Sequence, residues 1–187
     1  MKEKITFIKE LIKNIKQIGA ILPSSKYLSN KMIECVDFSN PINIIEYGPG
    51  TGVFTKLISK RINKESKLII IENNKIFFDI LYEKYKSKRN ITILFDSVEN
   101  IESIVESNNL KNIDYIISGI PFTSLPKSLR INIIENTKKV MNKKTIFITF
   151  QYTKKLKKFF NQNFKIQIIK KVLRNIPPAL IFEMKKY

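Results

Sequence analysis

The stretch from Ile42 to Gly52 constrains this chain more than any other, because it reads I-N-I-I-E-Y-G-P-G-T-G. A short apolar run is followed by an acid and by glycines at three alternate positions. The whole sequence contains only five glycines, so their clustering requires a reason. Glycine lacks a Cβ and tolerates positive φ, which lets a strand turn sharply and a ligand lie against bare backbone before the next helix. The pattern is typical of the first βα turn of a nucleotide-binding fold, although a tight structural turn alone would use the same residues.

The rest of the chain predicts alternating strands and helices. Apolar residues make up 43% of the 187, which supports one globular domain over residues 1–187. Residues 1–36 are expected to form extra N-terminal helices, and residues 42–187 a Rossmann-like α/β core. We expect a seven-stranded, mostly parallel sheet with a C-terminal antiparallel hairpin. The first predicted strand ends at Glu46, and the six further predicted strands cover 67–71, 91–95, 113–117, 145–150, 165–173 and 179–184. The predicted helices of the core cover 53–62, 75–86, 98–105, 126–141 and 153–163.

Acidic residues close three successive predicted strands. They are Glu46, Glu72 and Asp96. The carboxyl ends of parallel strands meet at one edge of a sheet, so these carboxylates are expected to converge there. Glu72 follows Gly52 by 20 residues, the spacing at which nucleotide folds place an acid on the ribose hydroxyls, whereas a solvated loop acid is the alternative.

Several classes of site are excluded by composition. The chain has no histidine and one cysteine, Cys35, so it offers neither a disulfide framework nor a His/Cys metal site, and we expect no metal. Cys35 is most simply a small buried apolar residue. No apolar run approaches 18 residues and no signal-peptide pattern is present, which favours a cytoplasmic location.

The charge of the chain predicts an anionic partner. The formal net charge is +18, and residues 136–182 contain twelve Lys and Arg but no Asp or Glu. Residues 1–18 form a basic amphipathic pattern, which would either pack on the domain or lie in a membrane interface. Nucleic acid and an anionic membrane surface both fit this charge, and a lysine-rich codon bias would also produce part of it.

The stretch E-Y-G-P-G-T-G, residues 46–52, resembles the first motif of class I S-adenosylmethionine-dependent methyltransferases. Its third glycine comes one residue too early for the dinucleotide fingerprint G-x-G-x-x-G. The resemblance implies S-adenosylmethionine as cofactor, an acid before the loop that contacts its amino end, and a polar pair against its adenine. The implied cofactor-binding residues are Glu46, Tyr47, Gly48, Gly50, Gly52, Glu72, Asn73, Asp96, Ser97 and Ser118.

Three further stretches resemble bacterial phospholipid N-methyltransferases. They are I-G-A-I-L-P-S-S-K-Y-L at 18–28, S-G-I-P-F at 118–122 and R-N-I-P-P-A at 174–179. The resemblance covers nearly the whole chain. It implies stepwise methylation of phosphatidylethanolamine by a monomer bound peripherally to the inner face of the cell membrane. The implied substrate-binding residues are Ser25, Lys26, Pro121, Phe122, Arg174 and Asn175.

The chain also resembles the rRNA adenine dimethyltransferases. Their fourth motif carries an Asn that accepts a hydrogen bond from the adenine amine, and Gly119 occupies that position here. The helical domain that those enzymes carry after the sheet has no counterpart. Both differences count against adenine as substrate, which leaves RNA less favoured than lipid. A small-molecule amine, or SAM binding without catalysis, stays a further alternative.

Methyl transfer from a sulfonium to an amine is a direct displacement, so alignment and exclusion of water are the main tasks. The amine must be neutral, and no histidine is present to take its proton. We expect desolvation to favour the neutral amine, with Tyr152 or the carbonyls near Ser118 and Gly119 as acceptors. Gly119 is expected to leave space for a nitrogen that grows with each methyl. Tyr152 has an alternative role as an aromatic residue at the core edge.

Overall fold

The computed structural model describes residues 26–187. The predicted amphipathic helix at 1–18 and the candidate substrate residue Ser25 lie outside the described residues. The helices are α1 (Lys26–Met32), α2 (Val53–Arg61), α3 (Lys75–Tyr85), α4 (Ile101–Ser107), α5 (Lys127–Val140) and α6 (Lys157–Asn163). The strands are β1 (Asn43–Tyr47), β2 (Lys67–Glu72), β3 (Ile91–Phe95), β4 (Tyr115–Ser118), β5 (Ile146–Gln151), β6 (Lys165–Val172) and β7 (Ala179–Lys185).

The seven strands form one sheet in the order β3-β2-β1-β4-β5-β7-β6. The first five in this order are parallel, whereas β7 runs antiparallel to both β5 and β6. The predicted Rossmann-like class I methyltransferase fold with a terminal hairpin is therefore confirmed. Gln151 at the end of β5 pairs with Leu180 near the start of β7. The β6–β7 turn consequently lies at the edge where the parallel strands end.

Each face of the sheet is covered by its own core. Runs of isoleucine form strands buried on both faces, as helix-flanked parallel strands require. One core packs α1, α2 and α3 on the sheet through Leu28, Phe54, Ile58 and Leu81. The other packs α4, α5 and α6 through Ile104, Ile134 and Phe160. These two layers hold the strand ends in fixed positions, which is what a site at that edge requires.

The element boundaries differ from the predictions by a few residues. β4 begins at Tyr115 rather than 113, although the backbone of Asp114 already hydrogen-bonds to both neighbouring segments, at Asn43 and Ile146. The helix predicted from 153 begins at Lys157, after a turn in which the Lys157 N–H donates to the Lys154 carbonyl at 2.9 Å. Among residues 26–187, no helix combines the length and apolar character needed to cross a membrane.

Candidate active site

A cavity of about 320 Å³ opens at the carboxyl edge of the parallel strands. Its wall contains six of the predicted cofactor residues: Gly48, Gly50, Glu72, Asn73, Asp96 and Ser97. Gly119 and Pro121, from the loop after β4, also line the cavity. Apolar side chains line the rest of it, and they include Ile71, Phe77, Val98, Leu125, Leu129 and Ile133. Side chains from strands that are distant in sequence therefore meet in one concave site.

Gly50 and Glu72 are joined directly across the mouth of the cavity. Gly50 has φ +55°, and a Cβ built on it would meet no atom within 4 Å. Packing within the protein therefore leaves the space over Gly50 open. The Gly50 N–H donates to one carboxylate oxygen of Glu72 at 3.0 Å, and the Asn74 N–H donates to the other at 2.8 Å. Burial raises the pKa of Glu72.

Asp96 and Ser97 follow β3 and line the cavity beside Glu72, since the Asp96 N–H donates to the Glu72 carbonyl at 3.3 Å. The Asp96 carboxylate accepts from the Ser97 N–H and from the Asn100 side-chain amide, both at 2.7 Å. The Ser97 hydroxyl caps the following turn by accepting from the Glu99 N–H at 3.3 Å. These bonds fix a polar rim next to Glu72, so two of the three acids predicted to converge do lie together.

Glu46 and Tyr47 are fully buried and lie outside the cavity wall. The Glu46 carboxylate accepts from the backbone N–H and the hydroxyl of Thr55, at 3.1 and 2.8 Å. Burial raises the pKa of Glu46 to about 8. The Tyr47 hydroxyl is 3.3 Å from the Thr137 hydroxyl in the opposite core. In this structure the Glu46 side chain bonds the start of α2 and the Tyr47 side chain contacts α5. A direct cofactor contact for either residue stays a prediction.

Gly119 is positioned by a close approach between the loops after β1 and β4. Its N–H donates to the Tyr47 carbonyl at 2.8 Å, and a Cβ on Gly119 would lie 2.5 Å from the carbonyl oxygen of Gly48. Any side chain at this position would collide with backbone. Backbone packing therefore requires glycine at position 119. The predicted role of Gly119 in leaving space for a nitrogen that gains methyl groups stays a prediction. The neighbouring Ser118 is buried, and its hydroxyl accepts from the Ile120 N–H at 3.2 Å.

Pro121 lines the cavity but Phe122 does not. The Phe122 ring is fully buried and packs edge-on against Phe147 and Phe160, with centroids 6.3 and 5.9 Å away. The Phe122 ring is occupied in the core of this structure, and its predicted contact with substrate stays a prediction. The aromatic position anchors the loop.

The remaining substrate candidates lie together on the α1 side of the same edge. Tyr152 packs on Phe150 and shares a hydrogen bond with Asn175, and burial raises its pKa. The Arg174 guanidinium lies 5.3 Å from the centre of the exposed Tyr27 ring, next to the exposed Lys26. None of these residues lines the cavity wall. The predicted roles of Tyr152, Lys26, Arg174 and Asn175 stay predictions.

Sequence reasoning missed residues that hold the site from behind. Gln151 is buried, and its amide donates to the Ile120 carbonyl and accepts from the Thr123 N–H, both at 3.4 Å. Asn74 caps α3 by accepting from the Ile76 and Phe77 N–H groups. Asn before a helical apolar pattern is a recognisable capping signal, whereas a Gln at a strand end carries none.

The residues present fit S-adenosylmethionine. The open space over Gly50 admits a ligand against backbone, the Glu72 carboxylate suits hydroxyl donors, and the apolar wall suits a flat heterocycle. No cluster of three or more potential His, Cys, Asp or Glu metal ligands occurs within residues 26–187.

The fold and the cavity define a class I S-adenosylmethionine-dependent methyltransferase. An N-methyltransferase NodS from Bradyrhizobium japonicum, solved with S-adenosyl-L-homocysteine, has the same fold at a TM-score of 0.67, with 9% identity over 87% of this chain and 88% of that chain. The sequence model for ribosomal RNA adenine dimethylase matches residues 13–163. The chain belongs to that family, and it is an S-adenosylmethionine-dependent methyltransferase.

The relatives of this chain include both a lipid methyltransferase and rRNA methyltransferases. An ornithine lipid N-methyltransferase from Singulisphaera acidiphila is 26% identical over 96% of this chain and 94% of its own length. A ribosomal RNA small subunit methyltransferase A from Hydrogenobaculum is 31% identical over 70% of this chain. This chain spans only 47% of the length of that second relative.

Proposed function

We propose that this protein N-methylates the amine of a membrane lipid, with phosphatidylethanolamine as the first candidate substrate. The observation that carries the proposal is the 2.5 Å separation between a Cβ at Gly119 and the Gly48 carbonyl oxygen. In the rRNA enzymes that this chain resembles, the Asn at the corresponding position accepts a hydrogen bond from the adenine amine. A backbone that excludes any side chain there argues against adenine and in favour of a different amine.

The extent of the similarities supports the same choice. The lipid-modifying relative is similar over 96% of this chain and nearly all of its own length. The family match ends at residue 163, before the β6–β7 hairpin begins at Lys165. The hairpin carries Arg174 and Asn175, two of the residues predicted to contact a phospholipid. That relative is an ornithine lipid N-methyltransferase, so the ornithine lipid amine is the second lipid to test.

Each group of residues around the cavity is assigned a role in methyl transfer. Glu72 and the backbone at Gly48 and Gly50 would hold the cofactor, with Asp96 and Ser97 beside Glu72 at the end of the neighbouring strand. When bound, S-adenosylmethionine supplies a methyl group activated by its sulfonium. The loop at Gly119 and Pro121 would form the boundary between cofactor and amine. A fixed boundary of this kind aligns the two reactants and excludes water, which is the main requirement of the displacement.

The amine proton leaves without a histidine. Burial raises the pKa of Tyr152, so its phenol stays protonated near neutral pH and acts as a hydrogen-bonding group rather than as a base. Because desolvation favours the neutral amine, the ammonium gives its proton to bulk water as it leaves the aqueous phase, and backbone carbonyls near Gly119 would orient the neutral amine. The free amine then attacks as the nucleophile.

The test is lipid mass spectrometry in a bacterial host that makes phosphatidylethanolamine but no methylated derivative. We expect expression of this chain to add species heavier by one, two or three methyl groups. Gly50→Val is the matched inactive control, since its side chain would occupy the cavity mouth. Vesicles of phosphatidylethanolamine or of ornithine lipid, with labelled cofactor and purified protein, then separate the two lipids. Methylated rRNA adenine with unchanged lipids would overturn the proposal.

Dimethylation of rRNA adenine is the second candidate function because the chain matches the ribosomal RNA adenine dimethylase family over residues 13–163. The same host provides the comparison. Its own small-subunit adenine methyltransferase is deleted, and restoration of dimethyladenine is measured. We expect no restoration by this chain.

A further inference from the structure

The turn between β6 and β7 presents an apolar surface at the edge where the cavity opens. We call residues 173–178 the hairpin tip. Leu173 is 65% exposed and Ile176 is 83% exposed, and the adjoining Tyr27 is 53% exposed. Large aliphatic side chains this exposed on one short turn mark an interaction surface.

The hairpin tip is held in place rather than free. The Asn175 side chain between the two exposed aliphatic residues is buried and donates to the Pro177 carbonyl at 2.7 Å. Asn175 also hydrogen-bonds Tyr152, which follows β5. Arg174 stacks over Tyr27 at the start of α1. The tip therefore presents Leu173 and Ile176 outward from a fixed base.

Positive charge surrounds the hairpin tip at the same edge. The exposed cations are Lys26, Lys154, Lys155, Lys171 and Arg174. No acid occurs between residues 136 and 182 to offset the four that belong to this stretch. Aliphatic side chains flanked by cations match an anionic bilayer, where the apolar groups enter the interface and the cations meet lipid phosphates. RNA would instead favour free aromatic faces for its bases, and the exposed Tyr27 ring here already has the Arg174 guanidinium over it at 5.3 Å.

We propose that the hairpin tip is a membrane-docking element that inserts Leu173 and Ile176 into an anionic lipid interface. The inference rests on the proposed lipid function and deepens it. Docking through the tip turns the carboxyl edge of the sheet, with its cavity, toward the bilayer. A lipid amine then reaches the Gly119 loop without leaving the membrane.

The test is flotation with vesicles of phosphatidylglycerol and phosphatidylcholine, which contain no amine lipid. We compare the wild type with the tip variant Leu173→Ser/Ile176→Ser. The matched control is Ile168→Ser/Ile169→Ser, which removes two exposed aliphatic side chains from the middle of β6. All keep their net charge, so a difference reports on apolar insertion. We expect the tip variant to lose about tenfold in vesicle partitioning, and the control to stay within about twofold.

Cofactor affinity and melting temperature are measured for each variant. If the double variant is unfolded, Ile176→Ser alone carries the comparison, with an expected loss of about threefold. Equal flotation of tip variant and wild type, or an equal loss in the control, overturns the docking proposal. A tip variant that floats normally but loses RNA binding in a gel-shift assay overturns it in favour of RNA.

The two proposals fail separately. Tip-dependent flotation of a protein that methylates no lipid leaves docking intact and removes the proposed function. Lipid methylation that is unaffected by the tip variant, on vesicles that it binds normally, removes docking alone.

Discussion

At the scale of single residues, Glu46 and Glu72 are alike in sequence and differ in structure. Both are acids at the ends of neighbouring parallel strands. Glu72 faces the cavity and holds Gly50, whereas Glu46 is turned to Thr55 at the start of α2. Strand ends and the glycine spacing predict that acids gather at this edge. Which carboxylate is covered depends on how α2 packs on the sheet, and that is a tertiary contact that sequence spacing does not contain.

Removal of the Glu72 carboxylate should weaken cofactor binding. A lost hydrogen-bonded charge costs on the order of 1.5 to 3 kcal/mol, so we expect Glu72→Ala to raise the Kd for S-adenosylmethionine by about ten- to a hundredfold. Isothermal calorimetry measures this directly. Asp79→Ala is the control, since Asp79 is an exposed acid paired with Lys75 on the same helix that follows Glu72. An unchanged Kd in folded Glu72→Ala would mean that the acid serves the loop alone.

Glu46 should make the stability of the cofactor-free protein depend on pH. Burial raises its pKa to about 8 from an ordinary value of 4.5, so the folded state binds more protons than the unfolded state between these values. The stabilisation is fully present below the unfolded pKa and is lost as pH rises through about 8. Each pKa unit corresponds to about 1.4 kcal/mol.

Glu46→Gln removes this titration, and its unfolding free energy should fall less than that of the wild type over the same rise in pH. Chemical denaturation at several pH values measures both curves. Glu106→Gln, an exposed position on α4, should follow the wild-type curve. Parallel curves for wild type and Glu46→Gln would contradict the prediction.

At the scale of elements, the contact between the β1 and β4 loops decides what residue 119 can be. A side chain on Gly119 must displace the Gly48 carbonyl, and overpacking of this kind costs about 1 to 3 kcal/mol. Gly119→Asn should therefore lower the melting temperature without restoring adenine methylation. Thr123→Asn is the control, since Thr123 is exposed in the loop that follows Gly119. Equal melting temperatures for Gly119→Asn and wild type would show that the loops move apart freely.

From the sequence, Gly119 is expected to leave space for a methylated nitrogen, whereas the structure shows that it allows a close approach to the Gly48 carbonyl. The residue that it approaches, Gly48, lies far away along the chain, and only the pairing of β1 with β4 brings the two together. Phe122 illustrates the same limit, because an aromatic residue after Pro121 suits a substrate contact or a core equally well. Its burial against Phe147 and Phe160 follows from α6 packing on β5. Within residues 26–187 the element types and their order match the predictions, because hydrophobic periodicity is a local property, whereas contacts between distant residues are not local.

The first amphipathic segment lies outside the described residues, and its role stays a prediction. If Ile5, Ile8 and Leu11 enter the membrane interface, Lys2, Lys9 and Lys13 meet lipid phosphates, each contributing about 1 kcal/mol. Changing these three lysines to Glu should abolish binding to anionic vesicles while cofactor affinity and melting temperature stay near wild type. Flotation and calorimetry provide the measurements. A segment that packs on the domain instead predicts retained flotation, and a Leu11→Asp variant that unfolds without lipid.

At the scale of the whole molecule, the net charge of +18 sets how association responds to salt. Exposed charges are screened over about 8 Å at physiological ionic strength. Binding to phosphatidylglycerol vesicles should therefore weaken steeply as sodium chloride rises, whereas cofactor affinity changes little. Sedimentation of vesicles at a series of salt concentrations measures the slope. Salt-independent binding would mean that apolar insertion dominates over charge.

The strand order also bears on how enzymes of this shape diverge. The cavity belongs to β3, β2, β1 and β4, while the hairpin tip belongs to β6 and β7 at the far end of the same sheet. The family match stops at residue 163, just before that hairpin. Substitutions confined to the hairpin tip can therefore change what the protein approaches while every residue that lines the cavity stays the same.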